Sequence, residues 1–210
     1  MHLLRHGGAR TRRLVRFLRE RARARASQRA KLDCAVFAEL FRRRAVVFTD
    51  TADSTLRTAR DGPLHCLMLF ERLMPEIEKA VGAGGGEIVK FEGDSFLLRF
   101  DSADAACRAV LQIDAALAKG NRGRPDNERL RFSYGIGYGD VLDLEHDLFG
   151  LEVSLASKIG EDLAQPGEAL LTPSAAAALG RTLLRRVVPH RIVTYERAAI
   201  PVQRLKLARR

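Results

Sequence analysis

Glu92, Gly93 and Asp94 lie together in EIVKFEGDSFLLRF, residues 87–100, where Ile, Val and Phe precede the glycine and Phe, Leu and Phe follow the aspartate. The flanks suit strands and Glu-Gly-Asp supplies turn chemistry, so the stretch reads as a β-hairpin with carboxylates at its tip. Alone, such a turn does no more than satisfy backbone donors. A further carboxylate, Asp50, ends AVVFTD, residues 45–50, a short apolar run of the kind that a buried central strand requires. Strands of similar length laid side by side would align their ends and bring Asp50 and Asp94 into one site. Two like charges so close are costly unless a cation lies between them, and a hard ion such as Mg²⁺ takes oxygen ligands while leaving positions open for phosphate.

The elements that must hold this pair can be followed along the chain. Thr11 to Arg44 is rich in Arg and Ala, with apolar residues recurring at spacings of three and four, and reads as two helices joined near Ser27. After AVVFTD comes a long helical pattern through Leu64, Leu67, Phe70, Leu73, Ile77 and Val81, which GAGGG at 82–86 stops. A second helix follows the hairpin, from Ala103 to about Ala118. RLRFSYGIGYGDVLDLE is expected to form two strands turning about Gly137–Gly139, and FGLEVSLASKIGEDLA another helix. EALLTP, a short helix at SAAAALG, and strands near LLRRVVP, RIVTYE and VQRLKL complete the order. Adjacent hairpins mixed with helices argue an α+β sheet covered on one face by helices, in the manner of a ferredoxin-like fold.

The chain has 210 residues and a net charge of +10, unevenly spread. Residues 1–44 hold fourteen Lys and Arg against three Asp and Glu, leaving 22 against 23 in the rest, so the globular part is near neutral. Cys34, Cys66 and Cys107 are widely spaced and odd in number, which indicates neither a disulfide framework nor a zinc site and fits a reducing cytoplasm. No run approaches the roughly 18 apolar residues needed to span a bilayer, and the start of the chain carries no apolar signal core. A cytoplasmic protein is expected, with attachment to a membrane surface left open. The Arg-rich lead would attract phosphates, yet it lacks the aromatic interleaving or zinc spacing of nucleic-acid recognition, so no specific nucleic-acid partner is expected.

VVFTDTADST, KFEGDSF, YGIGYGDV and DLFGLEVSLASK, in this order and at these separations, resemble the catalytic domain of class III adenylyl and guanylyl cyclases, from about Arg44 to about Ser174. The resemblance implies a central, mainly antiparallel sheet with flanking helices from residue 44 to residue 210, preceded by a basic helical segment at 1–43. It also implies that Asp50 and Asp94, helped by the carbonyl of Thr51, hold two Mg²⁺ or Mn²⁺ ions, and that the loop Ala52, Asp53, Ser54 and Thr55 cradles the phosphates. Lys90 and Asp147 match the pair that reads the purine. Lys can donate to adenine N1 and Asp can accept from the exocyclic amine, so ATP is the expected substrate and 3′,5′-cyclic AMP the product. Outside this context Lys90 would be a solvated strand residue and Asp147 a helix N-cap. Because metal ligands come from one subunit of the family's dimers and base readers from the other, a head-to-tail homodimer follows. The 1–43 segment would then serve dimerisation, a regulatory partner or an anionic membrane surface.

Three positions depart from the family pattern. Ser154 and Lys158 stand where an Asn and an Arg usually orient the ribose and stabilise the transferring phosphate, and Lys offers a point charge without Arg's planar fork. Asp53 replaces a glycine of the phosphate loop. Its side chain either faces the triphosphate or, as the favoured alternative, caps the helix beginning at Ser54. A cyclase-homology domain that binds nucleotide or protein without useful turnover is therefore a competing reading, as is another nucleotide substrate, including a pyrimidine one. A diguanylate cyclase is disfavoured, because FEGDSF does not spell that family's turn.

Overall fold

A computed structural model describes residues 7–195 and 198–207, so the first six residues of the basic lead and Glu196 of RIVTYE lie outside the described residues. In chain order the helices are α1 (Ala9–Arg23), α2 (Ala26–Leu40), α3 (Ser54–Asp61), α4 (Pro63–Ala83), α5 (Ala103–Gly120), α6 (Leu151–Lys158), α7 (Pro173–Ala177) and α8 (Arg181–Leu184). The strands are β1 (Phe41–Thr51), β2 (Glu87–Glu92), β3 (Ser95–Phe100), β4 (Phe132–Asp143), β5 (Leu148–Phe149), β6 (Ala169–Leu171), β7 (Val187–Tyr195) and β8 (Ala198–Leu205). They form one sheet in the order β2-β3-β1-β4-β6-β8-β7, with β5 on the end of β4. Every pairing is antiparallel except β4 with β6.

Alternation along β1 sends its side chains to two different layers. Ala45 and Val47 join Leu69, Phe70, Leu73 and Ile77 of α4 and the inner face of α5 in the main core. Each such large side chain taken out of water contributes about 1.5–3 kcal/mol. Val46 faces the other way and packs with Leu97, Val141 and Ala156 of α6. Helices therefore cover both faces, not one. Ser102 caps α5 by accepting from the Ala105 N–H at 3.2 Å, and Thr172 caps α7 by accepting from Ala175 at the same distance.

Two boundaries differ from the sequence reading. β1 begins at Phe41, where the three arginines Arg42–Arg44 pair with Val141, Asp140 and Gly139, so the basic run belongs partly to the sheet and the helical lead ends at Leu40. YGIGYG does not turn; β4 runs unbroken from Phe132 to Asp143. Its glycines are there for contact. A Cβ on Gly135 would come within 1.8 Å of the Ala156 carbonyl oxygen, and one on Gly137 within 2.5 Å of that of Glu152. Bare backbone at alternate positions lets α6 lie directly on the strand. Glu152, buried in this contact, accepts from the Tyr138 N–H at 3.0 Å and from the Thr172 hydroxyl at 2.7 Å.

Candidate active site

The hairpin β2–β3 turns through Gly93 and Asp94, with Glu92 opposite Ser95 and Gly93 at φ +66°, the first central position at which a type II′ turn takes glycine. Packed rings hold the hairpin in place: Phe91 stacks on Phe96 at 4.5 Å and meets Phe70 of α4 in a tilted contact at 5.0 Å, between ring centroids. β3 runs beside β1 in the register Phe48 to Leu97, which carries the end of β1 to the hairpin tip. There side chains take over from the ladder. The Phe96 N–H donates to Thr49 Oγ1 at 2.9 Å, and the Thr51 hydroxyl donates to the Asp94 carbonyl at 2.7 Å.

Asp50 and Asp94 thus come together, as the residue pattern requires. Burial and then the Asp94 and Glu161 charges push the Asp50 carboxyl up to about 6. This crowding is what a cation would relieve, and the oxygen donors suit a hard divalent ion. Among the described residues no group of three or more His, Cys, Asp or Glu gathers that could hold a metal by itself, so an ion here would draw its remaining ligands from substrate and water. Glu161 and Asp162 were not singled out in the sequence. They reach Asp50 because a π-helical turn, Ile159–Leu163, follows α6, and no periodic signal announces such a turn.

Lys90 and Asp147 also meet, at 3.1 Å, although they are far apart in sequence. Glu92, at 3.2 Å from the same ammonium, gives the hairpin tip a second role. Burial pulls the Lys90 pKa down, but the hydrogen bonds to Asp147 and Glu92 outweigh it and leave it raised. Asp147 is not a helix cap. It precedes β5, and its Oδ1 accepts from the Leu148 N–H at 2.9 Å, while the residue before α6 is Gly150.

The remaining positions are less open than expected. The Ala52 N–H donates to the Arg131 carbonyl at 3.0 Å and so is already used. Asp53 occupies the position before α3, but at φ 58° it makes no side-chain cap; its carboxylate leans toward Arg131 at 3.9 Å. The favoured capping role is thereby corrected. Ser54 and Thr55 open α3 in a first turn with no acidic residue, which leaves a positive helix end. On α6 the Ser154 hydroxyl donates back to the Gly150 carbonyl at 3.3 Å, and Lys158 is ion-paired with Asp162 one turn on.

Residues 36–194 match the family model of the adenylate and guanylate cyclase catalytic domain. A Streptomyces coelicolor protein named adenylate cyclase is 31% identical over 136 residues, 65% of this chain and 34% of its own length. One of the same name from Glutamicibacter nicotianae is 26% identical over 165 residues, 79% of this chain and 39% of its own. The chain thus spans well under half of these relatives. A solved structure, an adenylate/guanylate cyclase/hydrolase from Silicibacter pomeroyi, superposes with a TM-score of 0.67 at 26% identity, covering 79% of this chain and 96% of that one.

Proposed function

The chain belongs to the adenylate and guanylate cyclase catalytic-domain family, and from that premise we propose that it converts ATP to 3′,5′-cyclic AMP and pyrophosphate at a site completed by a second copy of the chain. The observation that carries the reading is the pair Asp50 and Asp94, whose charges press on one another at the joined ends of β1 and the hairpin. Two Mg²⁺ or Mn²⁺ ions bound there would neutralise the triphosphate and favour loss of the ribose 3′-hydroxyl proton. The 3′-oxygen then forms its bond to the α-phosphorus as the bond to pyrophosphate breaks. The first turn of α3, with Ser54 and Thr55, offers its positive end to the phosphates.

Lys90 and Asp147 support adenine over guanine. Their ion pair holds a donor and an acceptor side by side, the pattern that adenine N1 and its amino group complete. In a head-to-tail dimer this pair would serve the partner's metal carboxylates, so each chain supplies half of two sites. Incubation with ATP, GTP, CTP and UTP in turn, with Mn²⁺ and product identification by mass spectrometry, tests the reading. Cyclic AMP formed from ATP, and lost in Asp50→Asn, is expected; turnover of another nucleotide in preference would reject the base assignment.

A nucleotide-binding module without useful turnover is the second reading, favoured by α6. Ser154 is bonded to its own helix and Lys158 to Asp162, so neither side chain is held ready for a ribose or a transferring phosphate. ATP binding without product under every metal would decide for it.

A further inference from the structure

α3 is an eight-residue helix, STLRTARD, and its one buried residue is an arginine, Arg57. The side exposed to the core of a short helix would ordinarily be apolar. Arg57 is 7% exposed, and its Nε and Nη1 are buried without a hydrogen-bond partner. These two atoms have no room beside them for a water-sized neighbour, so the adjoining cavity meets the rest of the guanidinium, whose buried unpaired charge carries a desolvation cost that a nearby anion offsets.

The neighbouring carboxylates are committed elsewhere. Asp61 takes Arg60 at 3.0 and 2.8 Å, and although the Arg57 charge reaches that carboxyl, it makes no hydrogen bond there. Asp126 accepts from Arg129 at 2.9 Å and its side chain is 94% exposed. Asp53 stands 3.9 Å from Arg131. Arg57, Arg60 and Arg131, with Asp53, Leu56 and Asp126, line a cavity of ≈ 550 Å³. This space contains none of Asp50, Asp94, Lys90 or Asp147, and shares only Asp53 with the loop expected to cradle the nucleotide phosphates.

We propose that this cavity binds a small phosphate-class anion, with Arg57 as its innermost donor, Arg131 beside it, and Arg60 at the rim through the Nη1 that its hydrogen bonds to Asp61 leave unused. A phosphate has acceptor oxygens enough for all three guanidinium groups, and charge-assisted N–H···O bonds are the strong kind. Such an anion is free, as phosphate or pyrophosphate, and is distinct from the triphosphate of the substrate, whose expected loop shares only Asp53 with the cavity. The proposal does not depend on the cyclase reading, because it concerns binding in the absence of metal and turnover.

Titration calorimetry of the full chain with pyrophosphate and with inorganic phosphate, free of metal and nucleotide, tests it. Arg57→Leu is expected to weaken pyrophosphate binding about tenfold or more, with Arg57→Lys in between, since Lys keeps the charge and loses the planar donors. Without the anion, Arg57→Leu should melt no lower than the parent, and it should lose the rise in Tm that pyrophosphate gives the parent. A non-hydrolysable ATP analogue that binds alongside pyrophosphate supports a separate anion site; one that displaces it returns the anion to the nucleotide's own phosphate site and overturns the proposal. Equal pyrophosphate affinity in parent and Arg57→Leu, or no heat and no Tm shift in the parent at millimolar pyrophosphate, would overturn it.

Discussion

At the scale of single residues, two aspartates carry opposite costs. Asp50 is crowded by Asp94, so Asp94→Asn removes a repulsion as well as a candidate ligand. We expect the metal-free variant to melt no lower than the parent near neutral pH while losing Mn²⁺-dependent ATP binding. Unchanged Mn²⁺-ATP affinity by calorimetry would remove Asp94 from the metal site. Asp53 is the one non-glycine residue at positive φ among the described residues, at 58°. A glycine there escapes the left-handed penalty but gives up chain entropy on folding, so Asp53→Gly should change stability by between zero and about +1 kcal/mol, read by urea denaturation. A clear loss would mean that the contact with Arg131 outweighs the backbone strain.

At the scale of elements, the contact of α6 with β4 rests on bare backbone. Gly135→Ala drives a methyl into the Ala156 carbonyl, a neighbour that cannot turn aside, and should cost about 1–3 kcal/mol or more in urea denaturation. Gly82→Ala, in α4 with nothing within 4 Å of the added carbon, should instead gain up to about 1 kcal/mol. The glycines were legible in the sequence, but their reason was not. Alternating glycine reads locally as a turn, and only the helix lying across the strand explains it. Asp50 and Asp94 were legible because a strand end and turn residues fix their places, whereas Lys90, inside β2, and Asp147 were legible only through the resemblance to the cyclase family. Glu161 was not, since its nearness to Asp50 depends on a π-helical turn.

Another element, the helical lead, is anchored to the loop after β4. Glu145, in the loop after β4, accepts from the Arg10 N–H at 2.6 Å, the Thr11 N–H at 3.2 Å and the Thr11 hydroxyl at 2.8 Å, capping α1 from a distant part of the chain. Leu14 of α1 and Leu40 of α2 pack on Leu144 beside it. Partial burial pushes the Glu145 carboxyl up, but these hydrogen bonds outweigh it and hold it at about 2. The pKa is lowered on docking, so the contribution is fully present above the ordinary carboxylate value and is lost as pH falls toward 2. Relative to the intrinsic rate at each pH, hydrogen exchange in the first turns of α1 should therefore quicken below about pH 4.5 in the parent. In Glu145→Gln it should be faster at neutral pH and insensitive to that titration; the same acid profile in both proteins would show that Glu145 does not hold the helix.

At the scale of the whole molecule, a single chain presents two pairs of candidate residues, Asp50 with Asp94 and Lys90 with Asp147. Leu64 is 80% exposed, Leu67 54% and Met68 47%, at i, i+3 and i+4 on one face of α4, and Phe149 and Leu151 are exposed near Asp147, so the chain leaves apolar surface to solvent. If a second copy covers it head to tail, each site takes Asp50 and Asp94 from one chain and Lys90 and Asp147 from the other. Asp94→Asn and Lys90→Glu should each abolish cyclic AMP formation when assayed alone. Mixed in equal amounts and allowed to exchange, they should recover activity. Random pairing makes about half of the dimers mixed, and each mixed dimer unites the intact carboxylates of one chain with the intact reader of the other in one of its two sites, giving about a quarter of the parent rate. The recovered activity should also fall on dilution as dimers separate. A mixture as silent as its components, in a preparation that ultracentrifugation shows to be exchanging dimers, would place both sets of residues in one chain's site and reject the shared one.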